Sequence, residues 1–467
     1  MKRPLQNTLA AVAADALSRL LGFAATAYIA RTLGTSGFGL VSIGFAVLGY
    51  AALVASPGLQ IMGTREVART EDPPRDLVNN LTSLRVVLAV GSVGLTALVT
   101  LPVFGLTPSW LMVILFAATA LPLALSLDWF FQGAGRIVPV SVAKVLSYCV
   151  YVLLLIVLVS SPEDALWAPI AFWAGNAASA LLLFVLFQKT VGGVRWSGNL
   201  KRWKSLLTES IPLGASIVLT QTITNIPVLI AGALLSLQET GLFSASMKLL
   251  FFMLMIDRVF NTLFFPAISR YRQLEESQFN TLAAVGLKLM LTLTIPLAVL
   301  GVTFAPAITA IVYGSAFGES VSPLRWLFLY FILTTANTVL MSVLYADKRD
   351  KEVLKVLAWG TATLILFCIL LTLLWRAEGT AIGLSIGEGL VTVLLLWKAR
   401  TTVTFGPTRV LLPILISGAA MAATVALVNA ASPILSGLLG LGIFVLGVIL
   451  FGGMHAEDIR FLKQRFV

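Results

Sequence analysis

The chain has 467 residues, 58% of them hydrophobic and 11% charged, with a mean hydropathy of +0.96. Soluble domains carry about 25% charged residues, so a water-soluble reading fails, and the net charge of +11 becomes a question of which side of a bilayer the bases occupy rather than a sign of nucleic-acid binding. The two cysteines, Cys149 and Cys368, lie in apolar runs and the one histidine is His455, which argues against a disulfide scaffold, a metal site of thiolates or imidazoles, and histidine catalysis.

A helix crosses the hydrocarbon core with about 20 apolar residues, and hydropathy predicts about fourteen such spans in an all-α polytopic membrane protein. In chain order they cover 7–30, 38–62, 81–106, 109–132, 140–160, 166–188 and 211–234. The later seven cover 241–265, 284–305, 321–345, 356–375, 379–397, 410–430 and 436–453. The first follows Met1-Lys2-Arg3, lacks a small-residue cleavage site and is expected to stay attached as a signal anchor.

Alternate connectors differ in charge. One set holds Lys2, Arg3, Arg65, Arg69, Arg75, Arg136, the bases from Lys189 to Lys204, Arg270, Arg272, the run from Lys348 to Lys355, Lys398, Arg400, Arg460, Lys463 and Arg465. The other set holds little beyond Arg31 and Arg376 and carries acids such as Glu163, Asp164, Glu239, Glu319 and Glu378. The positive-inside rule then places both termini in the cytoplasm.

The chain also repeats itself. Leu33 to Phe38 followed by Gly39-Leu40-Val41-Ser42 matches Leu235 to Thr240 followed by Gly241-Leu242-Phe243-Ser244 at an offset of 202. This predicts two parallel six-helix lobes, 1–200 and 201–400, followed by two additional helices and a cytoplasmic tail in 401–467.

Ionisable groups at membrane depth are costly and mark sites or internal partners. Asp15 and Arg19 lie four residues apart on one helix face, either as a self-satisfied ion pair or as the lining of a wet cavity. Lys248 lies in the eighth span with no acidic neighbour on its own helix, whereas Asp257 and Arg258 sit nearer the cytoplasm. Arg325 either snorkels outward or rims a cavity. Asp128 and Glu388 are lone acids, and Glu388, with Ser385 and Thr392 near the same face, is the first candidate for carrying a proton or Na⁺. Pro57-Gly58 and Pro227 are candidate hinges.

At Asp128-Trp129-Phe130-Phe131-Gln132-Gly133, with Arg136 after it, the chain resembles the bacterial polysaccharide-exporter branch of the multidrug/oligosaccharidyl-lipid/polysaccharide superfamily. Ala30-Arg31-Thr32-Leu33-Gly34, Gly37-Phe38-Gly39 and Gly63-Thr64-Arg65-Glu66-Val67-Ala68-Arg69 add to the likeness. The resemblance implies a flippase, not an enzyme, that moves an oligosaccharide on undecaprenyl diphosphate from the inner to the outer leaflet of the cytoplasmic membrane by alternating access. Its partners would be the bilayer, this lipid-linked glycan and other polysaccharide-assembly proteins, with no cofactor beyond an H⁺ or Na⁺ gradient. Arg19, Lys248, Arg31 and Arg325 are then the cations for the diphosphate, and Asp15, Asp128 and Glu388 the charge partners or coupling acids. A multidrug or cation antiporter and a lipid II flippase of the same superfamily are the rival readings. A membrane glycan polymerase or ligase is a further one, disfavoured because the longest outer connector carries one acid and no base.

Overall fold

The computed structural model describes residues 2–70, 75–403, 407–428, 432–454, 458 and 460. His455 and the closing bases Lys463 and Arg465 lie outside the described residues. Helices run α1 (Lys2–Ala55), α2 (Leu59–Arg69), α3 (Arg75–Phe104), α4 (Pro108–Ala118), α5 (Ala120–Leu125), α6 (Asp128–Gly133), α7 (Ile137–Leu158) and α8 (Trp167–Thr190). They continue as α9 (Leu200–Leu234), α10 (Leu237–Met253), α11 (Met255–Leu274), α12 (Glu276–Tyr313), α13 (Val321–Ala346), α14 (Asp350–Ala399), α15 (Pro407–Val428) and α16 (Pro433–Leu450). No strand occurs among the described residues. Without water in the bilayer core, helices satisfy every backbone group internally.

Among the described residues twelve helical segments are long and apolar enough to cross a membrane, and two of these are too long to be one crossing. Helix α14 has 50 residues, which straight would run about 75 Å, more than twice a core of about 30 Å. It folds back at Trp375 and Arg376, whose backbone leaves helical values, Arg376 reaching a φ of 52°. The two arms pack antiparallel with glycines in the seam. Gly379 lies against Leu371, Gly383 against Cys368, Gly387 against Leu364 and Gly360 against Val391.

Helix α1 likewise breaks at Gly34, where φ is 67°, a value glycine adopts without cost. The contacts before and after Gly34 show the return. Tyr28 donates its hydroxyl to the Val159 carbonyl at the end of α7 (2.7 Å), while Phe45 and Tyr151, one helical turn and more back from those levels, both meet the Phe172 ring edge-on at 5.0 Å. Counting both hairpins gives fourteen crossings among the described residues, as hydropathy predicts. Pro57-Gly58 separates α1 from α2, but Pro227 stays inside a continuous α9 and makes no break.

By its contacts the chain forms two compact units, Met1–Ser244 and Ala245–Val467. The core of the first gathers Leu59, Met62, Leu81, Trp129, Phe130, Phe131, Phe187 and Leu206. The second is built around Phe264, Phe279, Met290, Val343, Leu395 and Phe444.

Candidate functional site

In the first unit three charged side chains from two helices converge. Asp15 and Arg19 follow one another by a helical turn on α1, and Arg19 Nε meets Asp15 Oδ2 at 2.7 Å. The second carboxylate oxygen, Oδ1, takes Lys144 Nζ from α7. One carboxylate thus bridges two cations, and the group carries an excess of one positive charge. Its members are 29% (Arg19), 40% (Asp15) and 42% (Lys144) exposed, so all are open enough to meet a ligand. The helices come close here because Gly22 leaves its side-chain space to the Tyr148 ring, 2.9 Å from where a Cβ would stand. Lys144 escapes the sequence reading because a base near a span end looks like an interfacial anchor; only the approach of α7 to α1 identifies its partner.

Asp128 is half-buried and, though alone on its own span, is not without an opposite charge. Arg85 of α3, 1% exposed, lies within electrostatic reach of it. Its guanidinium donates to the carbonyls of Leu123 (2.6 Å) and Ser126 (2.9 Å). These carbonyls are freed because the fourth crossing is discontinuous: α5 ends at Leu125, Ser126 is extended, and α6 starts at Asp128. Arg85 therefore caps a broken helix. The Trp129-Phe130-Phe131 stretch is buried, with Thr64 donating to the Trp129 carbonyl at 3.1 Å and Gly63 and Gly133 leaving room for the Trp129 ring and the Thr64 carbonyl. In this chain the aromatic motif acts as packing that locks α6 onto α2.

Arg31, three residues before the Gly34 turn, is exposed. The repeat-related segments also meet. A side chain on Gly39 would strike the Leu237 carbonyl, and one on Gly241 would strike the Thr35 carbonyl. Residues 35 and 39 map onto 237 and 241 at the same offset of 202, so the contact is reciprocal, as across a local two-fold axis.

In the second unit Glu388, 9% exposed, accepts from Asn337 Nδ2 at 2.7 Å. Thr334 lies beside it, and Asp257 is within electrostatic reach, with Thr338 beside Asp257. Asp257 lies in the first turn of α11, just after Leu254 joins it to α10. Asp257 Oδ1, Thr334 Oγ1 and Asn337 Oδ1 are buried in this cluster. Two buried carboxyls within electrostatic reach of each other suit a proton or a hard cation. Ser385, expected beside Glu388, instead donates to the Trp326 carbonyl at 3.1 Å. Lys248 is half-buried on α10, and Arg325 is exposed on a groove of about 470 Å³ lined by Trp326, Phe328 and Val425.

Residues 5–272 match the family described as polysaccharide biosynthesis protein. No curated protein matches the chain. Among solved structures the chain is similar to lipid II flippase MurJ in an inward closed conformation, with 16% identity, 96% of this chain and 99% of that one covered, and a TM-score of 0.74. It is similar to an inward-facing multidrug resistance MATE family transporter of the MOP superfamily, with 15% identity, 82% and 94% coverage, and a TM-score of 0.67. A MOP superfamily transporter from Pyrococcus furiosus, described by a reversed polarity of its binding pocket, shares 14% identity over 85% and 94% of the two chains, with a TM-score of 0.53. With more than half of its length matched, this multi-pass membrane protein belongs to the polysaccharide biosynthesis protein family, and its fold is that of the MOP superfamily transporters.

Proposed function

We propose that the protein is a flippase that carries an undecaprenyl-diphosphate-linked oligosaccharide across the cytoplasmic membrane by alternating access, driven by H⁺ or Na⁺. The observation that carries the reading is the Asp15–Arg19–Lys144 cluster, which holds two reachable cations on spans of a chain from a polysaccharide-biosynthesis family. A diphosphate cannot cross about 30 Å of hydrocarbon unaided. Charge-assisted hydrogen bonds from arginine and lysine replace its water shell, while the polyprenyl tail stays in lipid. No bond is made or broken.

Lys248, Arg31 and Arg325 are assigned to further contacts with the diphosphate or acidic sugars. The lobes are taken as 1–200 and 201–400, with 401–467 as an appended pair of helices and tail. The Gly39–Gly241 contact closes the end of these helices that the charge count assigns to the outside, backbone on backbone. Alternating access requires that contact to part. Glu388, with Asp257 and Asn337, is assigned to ion coupling, and Asp128 to the structural pair with Arg85.

Deletion of the gene tests the reading. Complete oligosaccharide diphosphate lipid should accumulate on the cytoplasmic face of the membrane. Unchanged lipids together with new drug sensitivity would make the protein a multidrug exporter, and accumulation of lipid II would make it a lipid II flippase.

A further inference from the structure

We propose that Asp15 is a resident anion: it fills the phosphate position between Arg19 and Lys144 and swaps with the substrate, so that the two cations are never left together without a counter-charge. The proposal rests on the diphosphate reading of this cluster and adds how the site is held and emptied. Three features of the geometry support it. Asp15 gives one oxygen to each cation, as two oxygens of one phosphate group would. Arg19 engages the carboxylate through Nε, and no bond of its two terminal nitrogens occurs among the described residues, so part of its fork remains available for a second anion. All three side chains are between 29% and 42% exposed, which keeps the ion pairs weak enough to exchange.

The physical need is clear at membrane depth. Two like charges side by side repel, and a site that binds a phosphate tightly must still release it. A tethered carboxylate answers both requirements. It neutralises one charge when substrate is absent, and it competes for the cations when substrate must leave. Substrate is therefore bound with less affinity, and released faster, than two bare cations would allow. Lys144 becomes a binding residue of equal rank with Arg19.

The test measures binding of farnesyl diphosphate, with inorganic pyrophosphate as the second probe, to the full chain in nanodiscs, alongside flux in proteoliposomes. Arg19→Ala and Lys144→Ala should each weaken binding of farnesyl diphosphate about tenfold, the worth of one charge-assisted contact, and Lys144→Arg should preserve it. Asp15→Asn should tighten binding several-fold while slowing flux, lowering KM and kcat together. Asp15→Ser serves the same purpose should the amide variant not fold. A pyrophosphate response in the same direction assigns the swap to the diphosphate itself, and a response confined to farnesyl diphosphate assigns it to the lipid head group. Weaker binding in both Asp15 variants, with Arg19→Ala also weak, would reduce Asp15 to a positioning residue and overturn the proposal while leaving the diphosphate site in place. Unchanged binding in Arg19→Ala would remove the diphosphate site itself.

Discussion

Single residues at membrane depth divide into those that hold the fold and those that remain open. Arg85 is of the first kind. Its guanidinium closes two carbonyls at the α5–α6 break and faces Asp128, and truncation would leave these acceptors buried and bare. Arg85→Ala is expected to cost about 3 kcal/mol, read as a fall in the unfolding temperature of the detergent-solubilised protein. Asp128→Asn should cost less, because the carbonyls keep their donor. Equal stability of wild type and Arg85→Ala would refute the capping role. Glu388 is buried, accepts from Asn337 and lies within electrostatic reach of Asp257. Glu388→Gln is expected to abolish gradient dependence of flux in proteoliposomes, and retained dependence would move the coupling site elsewhere. The sequence shows these acids as solitary, since Asn337, Asp257 and Arg85 stand far away along the chain; their approach is a product of helix packing. Asp15 and Arg19, by contrast, were legible because a spacing of four residues brings side chains together on any helix.

At the scale of elements, breaks in helices set the geometry. Gly34 and the Trp375-Arg376 pair turn two long helices into hairpins, and the interruption at Ser126 places Asp128 at the start of α6. Hydropathy cannot see such breaks, because apolar residues continue through them. Pro227 lies within a continuous α9, as proline can in a membrane helix. The predicted cytoplasmic end of the second unit is tied by ion pairs. Arg272 meets Asp347 at 2.6 Å, and Glu352 meets both Arg349 (2.8 Å) and Lys398 (2.9 Å). The bond from Glu352 raises the pKa of the Arg349 guanidinium above its ordinary value. The Arg272–Asp347 pair joins α11 to the end of α13, and the Glu352 pairs join the two ends of the α14 hairpin. The glycine pair at 39 and 241 is the element-scale counterpart of the sequence repeat. Gly241→Ala places a methyl group against the Thr35 carbonyl and should push the two segments apart. On a background with Cys149 and Cys368 replaced, Thr35→Cys should then react faster with a membrane-impermeant maleimide. Unchanged labelling would show that the contact does not close the outer end.

For the whole molecule, the number of crossings and the superfamily were readable from composition, span spacing and one aromatic motif, because burying apolar length in lipid leaves few alternatives to a helical bundle. Which bases of distant spans come together was not readable. Lys144 beside Asp15 illustrates this: neither its span nor its neighbours in the chain distinguish it from an anchor. The central claim is translocation of a lipid diphosphate glycan held by the α1–α7 cations. It is tested most directly by reconstituting the purified protein in proteoliposomes containing undecaprenyl-diphosphate-linked oligosaccharide and measuring how much glycan becomes accessible to an added lectin. Equilibration across the bilayer should be faster with wild type than with protein-free vesicles, and Arg19→Ala and Lys144→Ala should lose that acceleration. Wild-type rates no higher than those of empty vesicles, under both a proton and a sodium gradient, would contradict it.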